Sequence, residues 1–173
     1  MNPLQQTNEL FFNRSGMDEG RVTALVQDTL KGLDDGELFL EYVTSENFVF
    51  DDGKLKMTNA DTSQGFGLRG VVGEVTGLAH ATTLDEAAIR RAAQTVQAVK
   101  TGRSGKASMD PARTNHHLYA DANPLTAMAF EDKIALLQAM DAYARSKDPR
   151  VAQVSVTLAG SWQAVQILSL IHI

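Results

Sequence analysis

The chain has 173 residues, of which 43% are hydrophobic and 21% charged, a composition typical of one folded domain and not of a disordered chain. The net charge of −5 argues against non-specific binding to nucleic acid, and no apolar run is long enough to cross a membrane. There are no cysteines, which excludes disulfides, thiolate catalysis and Cys-based zinc sites within these residues and agrees with a reducing cytoplasm.

The first half of the sequence predicts one helix followed by two hairpins. The helix covers Asp18–Lys31 and ends at Gly32. A β-rich stretch then runs from Glu37 to about Ala81. Its first hairpin turns at Asp52-Gly53, a pair that suits a type I′ turn, and its second turns at Gly73-Glu74. The first hairpin is expected to bring together Phe48, Phe50, Leu55 and Met57.

The next helix is predicted over Leu84–Val99. Thr83 followed by Glu86 reads as a capping box that opens this helix. Its inner stripe is expected to be Leu84, Ala87, Ala88, Ala92, Val96 and Val99. Lys100–Met128 has no clear period, so we expect a long connection that is functional or mobile.

The last part of the chain predicts a helix and a hairpin. The helix covers Phe130–Ser146 and is expected to direct Ile134, Leu137 and Met140 towards the core. Val151–Ala159 alternates as a strand, Gly160-Ser161 reads as a turn, and Trp162–Leu168 reads as the returning strand.

This order predicts an α+β fold, an antiparallel sheet of hairpins with about three packing helices. We expect residues 1–167 to form one N-terminal domain that is incomplete. The apolar ending of the chain, residues 168–173, lacks a polar cap and is expected to be an atypical tail related to truncation.

The most conspicuous motif is a literal GxGxxG at Gly65–Gly70. A dinucleotide site needs this string between a strand and a helix, whereas Val71–Gly77 continues with glycines and β-branched residues. The lysine that a kinase glycine loop requires soon afterwards is also absent before Lys100. We therefore expect Gly65, Gly67, Gly73 and Gly77 to bare one face of a strand for close packing, with Arg69 as an ion-pair or carboxylate anchor.

Histidines and paired acids do not form a recognisable catalytic set. His80 closes a strand, the adjacent His116 and His117 lie in the long connection, and none of the four histidines has a second ligand one helical turn away. The acid pairs at Asp34-Asp35, Asp51-Asp52 and Glu131-Asp132 lie where turns and a helix start can use them locally. We predict no catalytic, cofactor-binding or metal-binding residue within the chain.

Several strings, in order and with their spacing, resemble the TldD-type metallopeptidases. They are Gln64–Arg69, Gly73–Ala79, Leu118–Leu125, Glu131–Lys133, Asp148–Val151 and Val154–Gly160. The resemblance covers about Leu25 to Ile167, which corresponds to the first third of a family chain, and the Gln-Gly-x-Gly-x-Arg string resembles TldD more than its relative TldE (PmbA). Two positions depart from the family pattern: Asn123 replaces an Asp before Pro, and Ala129 lies near a position that often carries a capping Ser.

The resemblance implies a cytosolic, zinc-dependent peptidase that acts as a TldD–TldE heterodimer on peptides or unfolded polypeptide segments. In the family, zinc ligands come from an HExxxH helix and a cysteine in the C-terminal portion, and this sequence has neither. The chain is therefore expected to scaffold the catalytic half, to be inactive alone, and to bind no zinc, nucleic acid or membrane. A non-catalytic protein-interaction module and a nucleotide-binding domain on Gly65–Gly70 are the alternatives.

Overall fold

The computed structural model describes residues 3–100 and 122–169. In chain order its main elements are α1 (Pro3–Asn8, continued by a π-helical turn at Glu9–Asn13), α2 (Glu19–Leu30), β1 (Asp35–Asp51), β2 (Lys54–Val72), β3 (Val75–Ala81), α3 (Glu86–Gln97), α4 (Phe130–Lys147) and β4 (Ser155–Ser169). The strands form one open antiparallel sheet in the order β3-β2-β1-β4, which confirms the α+β prediction.

The described residues divide into two compact units. The first comprises residues 3–42, 63–100 and 164–169, and the second comprises residues 43–62 and 122–163. Strands β1, β2 and β4 each contribute residues to both units.

The core of the first unit lies between the sheet and helices α2 and α3. Helix α2 starts where predicted, because the Asp18 side chain accepts a hydrogen bond from the Arg21 backbone N–H at 2.8 Å. One face of this helix is fully buried through Val22, Val26 and Leu30. The π-helical turn after α1, which the sequence pattern did not predict, adds Leu10, Phe11 and Phe12 to the buried residues of this unit.

Both predicted hairpin turns are confirmed. Asp52 and Gly53 have φ angles of 50° and 76°, and two successive positive values are what a type I′ turn requires. At the second turn Gly73 has a φ of 57°, and the register then pairs Val72 with Val75.

Helix α3 begins later than predicted. Its N-cap is Asp85, whose carboxylate accepts from the Ala88 backbone N–H at 2.6 Å, so the expected capping box at Thr83 is wrong. The buried stripe also differs from the expected one: Ile89 and Ala93 are buried, whereas Ala87 is exposed.

The second unit packs α4 against one face of the sheet. Its core consists of Phe48, Phe50 and Leu137, with Ile134, Val156 and Leu158 partly buried around them. The bounds of α4 agree with the prediction, but Met140 is 48% exposed and does not enter the core. Residues four positions apart lie on the same face of a helix, so Lys133 and Asp141 lie inward on either side of Leu137.

The predicted turn at Gly160-Ser161 is wrong, since β4 runs without a break through both residues. A Cβ at Gly160 would lie 2.8 Å from the Leu125 side chain. Gly160 therefore permits a close approach between segments inside the second unit.

Two predictions lie mainly outside the described residues. The aperiodic connection falls largely on residues 101–121, and the atypical tail falls on 170–173 except for its first two positions, which complete β4. Among the helices of residues 3–100 and 122–169, none is long and apolar enough to span a membrane.

Candidate functional site

The glycine string lies within strand β2 and is followed by a turn and strand β3. Phe66 and Leu68 alternate with Gly65, Gly67 and Arg69 and are buried against the helical side. No helix N-terminus follows the string, so the arrangement that cradles a pyrophosphate is missing. The packing interpretation holds at Gly65, Gly70 and Gly77, where a Cβ would lie within 2.8 Å of a neighbouring atom, but not at Gly67 or Gly73, where it would meet nothing within 4 Å.

The glycines act on both faces of the sheet, and not on one face as expected. A Cβ on Gly70 would lie 2.6 Å from the Leu33 and Val96 side chains, and one on Gly77 would lie 2.7 Å from Val99. These two glycines let helix α3 approach the sheet. Gly67 faces the opposite side, where a Cβ would meet nothing within 4 Å.

Arg69 occupies that opposite face and binds two carboxylates of β1. Its Nη2 donates to Asp35 at 2.6 Å, and its Nε donates to Glu37 at 3.1 Å. These bonds, the one to Asp35 foremost, raise the pKa of the Arg69 guanidinium above its ordinary value. The predicted ion-pair role is confirmed, and the guanidinium is already committed to residues of its own unit.

A shallow groove of about 440 Å³ lies over Gly67 on this face. Phe39 and Leu78 line it with apolar surface, and Leu78 is 63% exposed. Glu41 and His80 supply polar groups at the same groove. The register pairs Gly67 with His80, so the missing side chain on β2 leaves open space beside the imidazole. The groove offers room for an apolar side chain with polar groups next to it.

A second cavity, of about 410 Å³, lies within the second unit. Five of its seven lining residues carry polar side chains, and the lining consists of Ser45, Glu46, Asn47, Asn59 and Ser161, with Ala159 and Gly160. The Asn47 Oδ1 is buried, and no hydrogen-bond donor among the described residues reaches it. A buried acceptor of this kind favours a bound water or a ligand N–H or O–H.

One wall of the second cavity is held by a buried ion pair. The Lys133 Nζ lies 2.7 Å from Glu46 Oε1 and also donates to the Leu125 carbonyl at 2.8 Å. The ammonium group lies 5.7 Å from the centre of the Phe48 ring. Sequence reasoning named Lys133 only as part of the family string Glu131–Lys133 and did not single out Glu46 or Asn47. The sequence signal that could have revealed the buried lysine is its position four residues before Leu137, on the same face of the helix.

Asp34 and Asp52 each contact a residue far along the chain, and not only the local groups that were predicted. Asp34 accepts from the Gly73 backbone N–H at 2.6 Å, and Asp52 pairs with Arg145. His80 lines the first groove, whereas His116, His117 and His172 lie outside the described residues. The part of the chain that the structure describes has no cluster of three or more His, Asp or Glu able to hold a metal, so it does not fit a zinc ion.

Two family profiles match successive parts of the chain. PmbA/TldA metallopeptidase domain 1 matches residues 36–101, and the PmbA/TldA metallopeptidase central domain matches residues 123–169.

Curated relatives agree with these matches. The Metalloprotease TldD homolog of Haemophilus influenzae is 31% identical over 80% of this chain and 30% of its own length. The homolog of the same name from Buchnera aphidicola subsp. Acyrthosiphon pisum is 28% identical over 88% of this chain and 32% of its own length. The chain thus spans about a third of the length of the curated relatives it matches.

Solved structures share the fold at low sequence identity. TldE from Thermococcus kodakarensis superposes with a TM-score of 0.58 at 16% identity, over 83% of this chain and 34% of that one. A Thermotoga maritima protein described as a candidate modulator of a DNA gyrase superposes with a TM-score of 0.63 at 13% identity, over 90% of this chain and 35% of that one.

Proposed function

The chain belongs to the PmbA/TldD metallopeptidase family, and we propose that it forms the N-terminal part of a TldD-like zinc peptidase subunit that hydrolyses peptides or unfolded polypeptide segments. The observation that carries the proposal is the order of the matches. Domain 1 is followed by the central domain, and together they correspond to about a third of each relative. In this proposal the metal-binding residues belong to the remaining two thirds of such a subunit.

The role proposed for this chain is to scaffold the catalytic part and to contribute a wall of the substrate cleft. Two features support it. The groove over Gly67 offers Phe39 and Leu78 as an apolar lining. Strand β3 is an edge strand of the sheet, and an edge strand can pair with an extended peptide through its backbone. Substrates of a peptidase that acts on unfolded segments are extended chains.

We further propose a TldE-like subunit as partner and the cytoplasm as location. The relatives named as TldD homologs and the structural likeness to TldE support the partner. The cysteine-free composition agrees with the location.

The first test is to read the source DNA beyond the codon for Ile173. We expect an HExxxH motif downstream in the same frame. A natural gene that ends without this motif would overturn the assignment to a peptidase subunit.

The second test is a peptide-hydrolysis assay on three samples: the 173-residue chain alone, the longer subunit alone, and the longer subunit with its TldE-like partner. We expect hydrolysis only in the third sample. The matched control carries glutamine in place of the glutamate of HExxxH and should be inactive. Hydrolysis by the 173-residue chain alone would refute the scaffold role.

A further inference from the structure

Helix α4 carries an apolar stripe on the face that points away from the core. Leu136 is 40% exposed, Met140 48% and Tyr143 65%, and Ala139 beside them is exposed as well. The inward face of the same helix carries the buried charged residues Lys133 and Asp141. The exposed stripe is therefore at least as apolar as the buried one, which is typical of a helix that packs against a second surface.

The stripe continues at both ends into charged residues of opposite sign. Asp132 precedes it in the first turn of α4, and Lys147 follows it in the last turn. At about 100° per residue, these two residues and the four apolar ones fall within roughly 100° of the helix circumference. Lys147 Nζ lies 3.9 Å from the centre of the Tyr143 ring, and neither Asp132 nor Lys147 has an ion-pair partner among the described residues.

The positions of the stripe are symmetric about the point between Ala139 and Met140. Leu136 and Tyr143 are equally distant from that point along the helix, and so are Asp132 and Lys147. A two-fold axis through it would place each residue opposite its counterpart on an antiparallel copy of α4. Small Ala139 would then face large Met140, and acidic Asp132 would face basic Lys147 at both ends.

We propose that the outward face of α4 binds a second copy of this chain, with the two α4 helices antiparallel and Asp132 of each copy opposite Lys147 of the other. A parallel pair would instead place like charges together at both ends. The contact is one 18-residue helix, about 27 Å long, so it is smaller than a standard interface. We expect a weak dimer with a dissociation constant of about 10–100 µM.

The first experiment is sedimentation equilibrium of the full chain over a concentration range of about a hundredfold that brackets this value. We expect a monomer–dimer equilibrium, and Met140→Glu should weaken it by at least about tenfold because two buried carboxylates would face the apolar stripe. The matched control is Met57→Glu, since Met57 is 49% exposed in the same unit but lies on β2. The control should leave the dimer unchanged.

The second experiment tests orientation by charge reversal. Asp132→Lys and Lys147→Asp alone should each weaken the dimer several-fold, since each creates two like-charge contacts. The double variant carries both reversals and should return to within about threefold of the natural chain. Both positions are exposed, and a circular-dichroism melt verifies that each of the three variants is folded.

The third experiment uses the absence of cysteine in the chain. A single cysteine in Ala139→Cys would lie beside the two-fold axis and should form an intermolecular disulfide under mild oxidation. In Ser146→Cys the two thiols of an antiparallel pair would be separated by about 20 Å along the axis, too far for a disulfide. Ser146→Cys should stay uncrosslinked.

Four outcomes would overturn the proposal: a monomer at every concentration, a dimer that tolerates Met140→Glu, a double charge reversal as weak as the single ones, or equal crosslinking at positions 139 and 146. Burial of the outward face of α4 by an added TldE-like subunit, with no self-association of this chain, would also overturn the proposal. The three experiments use this chain alone and involve no hydrolysis, so their results are independent of the proposed peptidase function.

Discussion

Lys133 shows how one residue can matter more than its place in a sequence pattern suggests. It is 6% exposed, the most deeply buried charged residue among those the structure describes, and its ammonium group is satisfied by Glu46 and the Leu125 carbonyl. A buried ion pair adds little net stability compared with an apolar pair, but the loss of one partner leaves an uncompensated charge. Turning Lys133 outward would leave the Glu46 carboxylate without this cation, so the pair favours the observed inward face of α4.

Replacement of Lys133 should lower the stability of the fold, and simultaneous replacement of Glu46 should restore most of that stability. We expect Lys133→Ala to lower the free energy of unfolding by about 3 kcal/mol, because the Glu46 carboxylate, whose side chain is only 18% exposed, then lacks a cation. Lys133→Met combined with Glu46→Leu should recover most of that loss. Urea denaturation measures both, and Lys56→Ala, at an exposed lysine of the same unit, should change stability by less than about 0.5 kcal/mol. A double variant no more stable than Lys133→Ala would contradict this account.

Asp148 gives a prediction about pH. The Arg150 guanidinium, and then its backbone N–H, donate hydrogen bonds that hold the pKa of Asp148 below its ordinary value. Because the folded-state pKa lies below the unfolded one, the contribution to stability is present above the unfolded pKa and is lost as the pH falls through the folded pKa. Arg150→Ala should raise the pKa of Asp148 towards its ordinary value, but not fully, since the backbone donor remains.

The measurement for Asp148 is an NMR titration of its carboxyl carbon in the natural chain and in Arg150→Ala. Arg90→Ala serves as the control, since Arg90 is an exposed arginine that pairs with Glu86 elsewhere in the chain. It should leave the titration of Asp148 unchanged. An unaltered titration in Arg150→Ala would show that the guanidinium does not cause the shift.

At the scale of elements, the start of α4 has a weakness that one substitution can correct. Ala129 occupies the N-cap with φ −65° and ψ 157°, and its side chain cannot accept a hydrogen bond from the first turn. The other departure from the family pattern, Asn123, leaves no helix start uncapped. Its side chain accepts a hydrogen bond from the Leu125 backbone N–H at 2.9 Å and caps a 3-10 turn.

We expect Ala129→Ser to raise the free energy of unfolding by about 0.5–1 kcal/mol by supplying the missing cap. The same substitution at Ala142, an exposed position in the interior of α4, should instead lower it by a few tenths of a kcal/mol, since serine is a poorer helix former than alanine. Chemical denaturation of both variants provides the comparison. Equal effects at the two positions would rule out capping as the cause.

At the scale of the whole molecule, both compact units take their strands from the same long β1, β2 and β4. The predicted break at Gly160 divided a strand that is continuous, and the length of β1 and β2 also exceeds what their local patterns indicated. The turn-forming residues predicted the ends of both hairpins correctly, but the continuity of a strand depends on the residues that pack beside it. At Gly160 that neighbour is Leu125, 35 residues earlier in the chain.

The sequence by itself determined the features that depend on neighbouring residues: the turn at Asp52-Gly53, the start of α2 at its Asp18 cap, the α+β class and the family motifs. Only the tertiary structure decided which stripe of α4 faces inward. The helix carries two stripes of comparable apolarity, and local periodicity treats them alike. The inward stripe packs against Phe48 and Phe50, which lie far from α4 in sequence. Glu46, on the same strand, supplies the carboxylate that Lys133 binds in the described part of the chain. The exposure of Met140 follows from that choice.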